Sequence, residues 1–141
     1  MNNLEFMEKF KPKTRCIKEF EHWIVCIRAK QVTLGDAVIL LKRQAESVGD
    51  ILEEEIKEFS IIIKWYEEVC IKKFGAIKFN YMVLMMKDNF VHYHAFPRYD
   101  KNLDLFGIEW IDKDYPAIVN LKETKELSEE KLQEIKDYMS K

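Results

Sequence analysis

Two histidines stand two positions apart in the stretch Asn89-Phe90-Val91-His92-Tyr93-His94-Ala95-Phe96-Pro97-Arg98-Tyr99. Imidazole is both a nucleophile and a proton carrier near neutral pH. The flanking residues are aromatic and β-branched, and Pro97 closes the run, which predicts a strand. Alternation along a strand puts His92 and His94 on one face with Phe90 and Phe96, while Val91, Tyr93 and Ala95 point the other way. Two imidazoles side by side, with the Arg98 guanidinium at the strand's end, suit an anionic ligand better than a core. A histidine that attacks phosphorus needs one ring nitrogen open to a cleft and the other held by an acceptor. A second imidazole, Arg98 or a main-chain amide then meets the charge that develops on the phosphate oxygens. Packed shut among apolar side chains, His92 would not serve.

Other roles for these residues stay open at this level. An H-x-H pair is a weak signal, and both rings could be structural. Zinc would ask for three or four ligands, and the only third imidazole, His22, falls on a different predicted strand. No metal and no other cofactor is therefore expected. Cys16, Cys26 and Cys70 are odd in number and contain no C-x-x-C pair. They read as free thiols in a reducing compartment, the cytoplasm. A formal net charge of -2 offers no basic excess for a long nucleic acid, yet leaves room for a small nucleotide. No apolar run approaches the roughly 18 residues of a membrane span, and the charged N-terminus does not resemble a secretion leader.

The elements that must position the histidines can be read around them. With 141 residues and 48% of them apolar, the chain has the size and composition of one domain with a real core. Residues 1–19 mix lysines, acids and aromatics and contain Pro12, predicting an irregular or briefly helical lead-in. Residues 22–28 alternate as a strand, residues 29–36 form a connector containing Gly35, and Ala37 to Leu41 is a short apolar strand. Residues 45–73 carry apolar residues at three and four spacings, predicting one long helix that begins as late as Asp50 and stops at Gly75. Residues 77–86 predict a strand, joined by the short polar turn Lys87-Asp88-Asn89 to the histidine strand as an antiparallel hairpin. Residues 101–141 predict a packed loop and a C-terminal helix from about Ser128 to Tyr138, capped by Ser128. The fold class is α+β: an antiparallel sheet of about five strands, one long helix and a C-terminal helix, with a core over about 20–100.

The stretch His92-Tyr93-His94-Ala95-Phe96-Pro97-Arg98-Tyr99 resembles the end of the histidine triad (HIT) signature, His-φ-His-φ-His-φ-φ-Pro-Arg. Upstream, Gln31-Val32-Thr33-Leu34-Gly35 and Ala37-Val38-Ile39-Leu40-Leu41-Lys42-Arg43 resemble that family's glycine turn and the strand after it. A long helix follows, and Phe79-Asn80-Tyr81 opens the strand before the motif. The resemblance covers roughly residues 22–100. It implies a HIT-like fold and a nucleotide hydrolase or nucleotidyl transferase acting at the α-phosphate. Candidate substrates are dinucleoside polyphosphates and nucleoside phosphoramidates. His92 matches the middle histidine, the family's nucleophile, which forms a covalent nucleotidyl intermediate. His94 matches the last one, which contacts phosphate. Arg28, Leu34 and Gly35 would border the nucleoside pocket, and Arg98 would donate to the anion. A homodimer is implied as well. Two departures stand out. Phe90 replaces the first histidine, and Lys87-Asp88-Asn89 replaces the usual glycine-containing loop and Gly-Gln pair, leaving Asn80 or Asn89 to supply its polar contacts. The departures make a second reading natural: a non-catalytic nucleotide-binding or protein-interaction domain built on the same fold.

Overall fold

A computed structural model describes residues 2–141. The chain begins with two short helices, α1 (Asn3–Glu8) and α2 (Pro12–Arg15), and continues directly into strand β1 (Cys16–Glu19). Pro12, expected to break this lead-in, instead opens α2 at the first helical turn, where a missing N–H costs nothing. Next come β2 (Trp23–Ile27), the two-residue strand β3 (Lys30–Gln31) and β4 (Ala37–Leu41). After a short 3-10 turn at Val48–Asp50, the long helix α3 runs Glu53–Phe74. Strands β5 (Lys78–Met82) and β6 (His92–Arg98) follow, then β7 (Leu103–Leu105), β8 (Ile108–Trp110), β9 (Lys125–Glu126) and helix α4 (Glu129–Ser140). Five strands form one antiparallel sheet in the order β1-β2-β4-β6-β5, as the fold class required. The fifth strand is β1, which lies in the expected lead-in.

The two faces of the sheet are covered differently. One face carries Trp23, Val25, Ile27, Ile39 and Leu41, packed on Ile62, Tyr66, Cys70 and Phe74 of α3 and on Leu132, Ile135 and Met139 of α4. Burying each such side chain contributes about 1.5–3 kcal/mol. The other face carries Ile24, Cys26, Val38, Leu40 and Phe90, and it is covered by Phe6 and Met7 of α1. Burial of β2 and β4 on both faces explains why their sequences are nearly continuous apolar runs.

Three boundaries differ from the sequence reading. The long helix starts at Glu53, not in the region 45–50, because Glu55 folds back to accept the Leu52 N–H at 2.8 Å and is clamped by Arg43 at 2.9 Å. Its end is as expected: Gly75 takes the left-handed conformation (φ 78) that stops it. Strand β5 ends at Met82 because Met85 adopts φ 52 and turns the chain out of the sheet. The connection to β6 is therefore the loop 83–91, not a three-residue turn, although β5 and β6 do pair antiparallel, Met82 opposite His94. The region after Arg98 holds a further small hairpin, β7 with β8, and β9 pairs with β3.

Candidate functional site

His92 and His94 project from the start of β6 beside Leu40 and Val38, their partners on β4. Their ring centroids are 5.1 Å apart in an edge-on arrangement. His92 Nδ1 lies 2.7 Å from the main-chain carbonyl of Phe90. A carbonyl only accepts, so Nδ1 carries the proton and the lone pair sits on Nε2. The holding group is main-chain, so it does not depend on the phenyl side chain of Phe90.

His94 is half-buried, and burial pushes its pKa down to about 4, with the neighbouring His92 and Arg28 acting in the same direction and Asp88 against them. It is neutral at pH 7. Its Nδ1 has no hydrogen-bond partner among the described residues. The His94 side chain lines a cleft of about 230 Å3 together with Lys9, Phe10, Arg15, Arg28 and Lys30. Arg28 lies over the Phe96 ring at 5.4 Å, and its Nη1 donates to the Lys30 carbonyl at 2.6 Å. Of the four cations lining the cleft, Lys9 pairs with Asp88, Arg15 with Glu129 and Lys30 lies 3.8 Å from Glu126, so among the described residues Arg28 is the one without a carboxylate partner and the place where an anion would be met beside His94. A larger cleft of about 530 Å3 lies elsewhere and is lined by Glu109, Asp112, Asp114 and Glu123, carboxylates that oppose an anionic ligand.

His92 itself is only 5% exposed. The Phe6 ring stands 5.1 Å from it and the Phe10 ring 5.7 Å. The oriented Nδ1 meets one requirement for an attacking histidine, while Phe6 and Phe10 narrow the approach to the rest of the ring.

The remaining candidates are distributed differently from the sequence reading. Arg98 does not offer a free guanidinium. It is 3% exposed, its Nε and Nη2 donate to Asp112 at 2.8 and 3.0 Å, and its Nη1 donates to Asn80 Oδ1 at 2.8 Å. Asn80 is spent in the same contact. Leu34 and Gly35 lie on the α3 side of the sheet, away from the imidazoles. Their carbonyls accept from the buried Tyr99 and Tyr66 hydroxyls, each at 2.6 Å, and an added Cβ on Gly35 would come 3.2 Å from Phe74. Asn89 is exposed in the loop 83–91. Only Arg28 joins His94 in the cleft. The sequence reading missed Lys9, Arg15, Lys30, Phe6 and Phe10. The four-residue spacing of Phe6 and Phe10 was a signal for a shared helical face; nothing in the sequence pointed Asp112 at Arg98. His22 sits with Glu21 and Glu58 at the far end of β2, their ligand atoms within 4.8 Å of one another, and Glu58 is already accepting the His22 N–H at 2.7 Å.

No protein-family model matches the chain. No curated protein matches it either. Solved structures do. A histidine triad protein from Marinobacter aquaeolei superposes with a TM-score of 0.73 at 16% identity, covering 94% of this chain and 90% of that one. A histidine triad protein from Sinorhizobium meliloti gives 0.73 at 13% identity, covering 94% and 91%. The diadenosine triphosphate hydrolase of Plasmodium falciparum gives 0.67 at 14% identity, covering 91% and 75%. The chain has the histidine triad fold. At these identities the likeness concerns architecture, and the site must be argued from its own residues.

Proposed function

We propose that this HIT-fold protein handles small nucleotides and acts as a phosphohydrolase or nucleotidyl transferase at the α-phosphate. The observation that carries the reading is the His92 Nδ1 contact to the Phe90 carbonyl beside the basic cleft. In the proposed reaction Nε2 of His92 attacks the α-phosphorus. The bond from phosphorus to the leaving oxygen or nitrogen breaks, and the leaving group departs with its electron pair and takes up a proton from solvent. The Nδ1 proton stays on the ring, its positive charge facing the Phe90 carbonyl. Water then attacks the nucleotidyl-histidine, gives up a proton to solvent, and the breaking P–N bond returns the lone pair to Nε2. His94 and Arg28 serve the phosphate oxygens. Dinucleoside polyphosphates and nucleoside phosphoramidates are the proposed substrates, in a reducing, cytoplasmic setting consistent with the free cysteines. Among the described residues no helix is long and apolar enough to cross a membrane.

The test is kinetic. His92→Asn should abolish turnover of an adenylylated substrate and leave nucleotide binding within roughly tenfold, because binding uses contacts made before attack. His94→Ala should weaken both. Undiminished turnover in His92→Asn removes the mechanism.

The second reading is a non-catalytic nucleotide-binding or protein-interaction domain. The covering of His92 by Phe6 and Phe10 favours it. Nucleotide binding without turnover in any variant would establish it. A homodimer is also proposed, formed through the free edge of β5 near the exposed Ile71 and Ile77. Sedimentation at micromolar concentration giving the mass of one chain would refute it.

A further inference from the structure

We propose that α1 and Phe10 form an autoinhibitory cap that must lift from the histidine face before any ligand reaches His92. Phe6 is wholly buried, with its ring 5.1 Å from His92, 5.2 Å from Phe90 and 5.3 Å from Phe10. These rings pack against the His92 side chain, which is 5% exposed, and a flat aromatic base seated on that ring would have to take their place. What remains beside His94, about 230 Å3, is smaller than the roughly 300–1,000 Å3 of ordinary ligand sites. The cleft in this arrangement is small for a whole nucleotide.

Three features mark the cap as movable. It spans six helical residues, far below the ~12–15 at which a helix is even marginally stable alone. Its order therefore comes from docking Phe6 and Met7. Its polar ties are few: Asn3 Nδ2 donates to the Lys42 carbonyl at 2.5 Å, and Lys9 pairs with Asp88 at 2.5 Å on the rim. The closed state also leaves polar atoms unpaired where cap and cleft meet. Asn3 Oδ1, Arg15 Nε and His94 Nδ1 are buried without partners, and each such atom penalises closure. Arg15 and His94 both line the cleft. These unpaired atoms lower the cost of opening, and a ligand's aromatic ring competes with Phe6 for its place against His92. The effect on turnover rests on His92 being the attacking group; the protection of its ring by α1 does not.

Acylation of imidazole by diethyl pyrocarbonate, followed residue by residue by mass spectrometry, measures that protection without requiring activity. His22, at the other end of β2, is the internal standard. In the wild-type protein His92 should react at least about tenfold more slowly than His22, as expected for a group reached through local opening. Phe6→Ala should raise the His92 rate roughly tenfold with His22 unchanged. Lys9→Glu removes no buried group and sets like charges beside Asp88. It should raise the His92 rate about threefold, and it decides the matter if Phe6→Ala proves unfolded by circular dichroism. Equal rates for His92 and His22 in the wild type would overturn the cap, as would unchanged His92 protection in folded Lys9→Glu. If the variants expose His92 and no turnover of an adenylylated substrate appears, the cap stands and the catalytic reading falls.

Discussion

Asp112→Asn should cost this protein far more stability than a loop substitution ordinarily does. Asp112 and Arg98 form an ion pair with both side chains 3% exposed. Asp112 Oδ2 also accepts the Tyr99 N–H at 3.0 Å. Asp112→Asn keeps one acceptor oxygen but removes the counter-charge and sets an NH2 where the second oxygen met the guanidinium, so Arg98 is left buried with neutral acceptors alone, the residue-112 amide and Asn80 Oδ1. Breaking one side of such a pair costs about 3–5 kcal/mol, largely the penalty of an uncompensated buried charge. For a chain of 141 residues, each kcal/mol corresponds to about 3 °C in Tm, so the melting temperature should fall by roughly 10–15 °C. Urea unfolding of the wild type, Asp112→Asn, Arg98→Met and the Arg98→Met/Asp112→Leu double variant forms the assay. The double variant should recover most of the loss, because an apolar pair of similar volume replaces the ion pair at little net cost. A loss below about 1 kcal/mol in Asp112→Asn would show that Arg98 is not held as argued and is free to meet a ligand.

Three other outcomes follow from the same contacts. His94, with its pKa lowered to about 4 by burial, binds its proton later on acidification than an unfolded histidine near 6.5. Stability contributed by neutral His94 is present above pH ~6.5 and is lost as pH falls towards 4, to the order of 2–3 kcal/mol; urea titrations in wild type and His94→Gln should diverge in that window. Gly35→Ala forces a side chain onto a residue at φ +94 and brings a Cβ to 3.2 Å from Phe74; an unfolding midpoint shift equivalent to about 1–3 kcal/mol is expected. Hydrolysis, where observed, should survive a strong chelator, and its loss with restoration by zinc or manganese would favour a metal-dependent reaction.

How far the sequence exposed this arrangement depends on the range of the interactions involved. β2, β4 and the histidine strand were legible because two-residue alternation and apolar runs are local signals. The same local logic placed His92 and His94 on one face and Gly75 at the end of α3. β1 was hidden because half of it is charged and it follows two helical turns; pairing with β2 makes it a strand. β5 was overextended because Val83, Leu84 and Met85 continue the apolar pattern while the backbone turns away at Met85. The roles of Arg98, Leu34 and Gly35 were set by the other side of the sheet and by Asp112, 14 residues after Arg98, and no spacing rule reaches that far. The cap over His92 was beyond reach for the same reason: Phe6 and Phe90 meet only in three dimensions.

The account turns on whether His92 forms a bond to phosphorus. Rapid-quench analysis of an adenylylated substrate, searching for acid-labile phosphohistidine by peptide mapping, tests this most directly. The adduct should appear on His92 in the wild-type protein, faster in Phe6→Ala, and be absent in His92→Asn. Turnover with no adduct trapped in the wild type, and a rate undiminished in His92→Asn, would contradict the account.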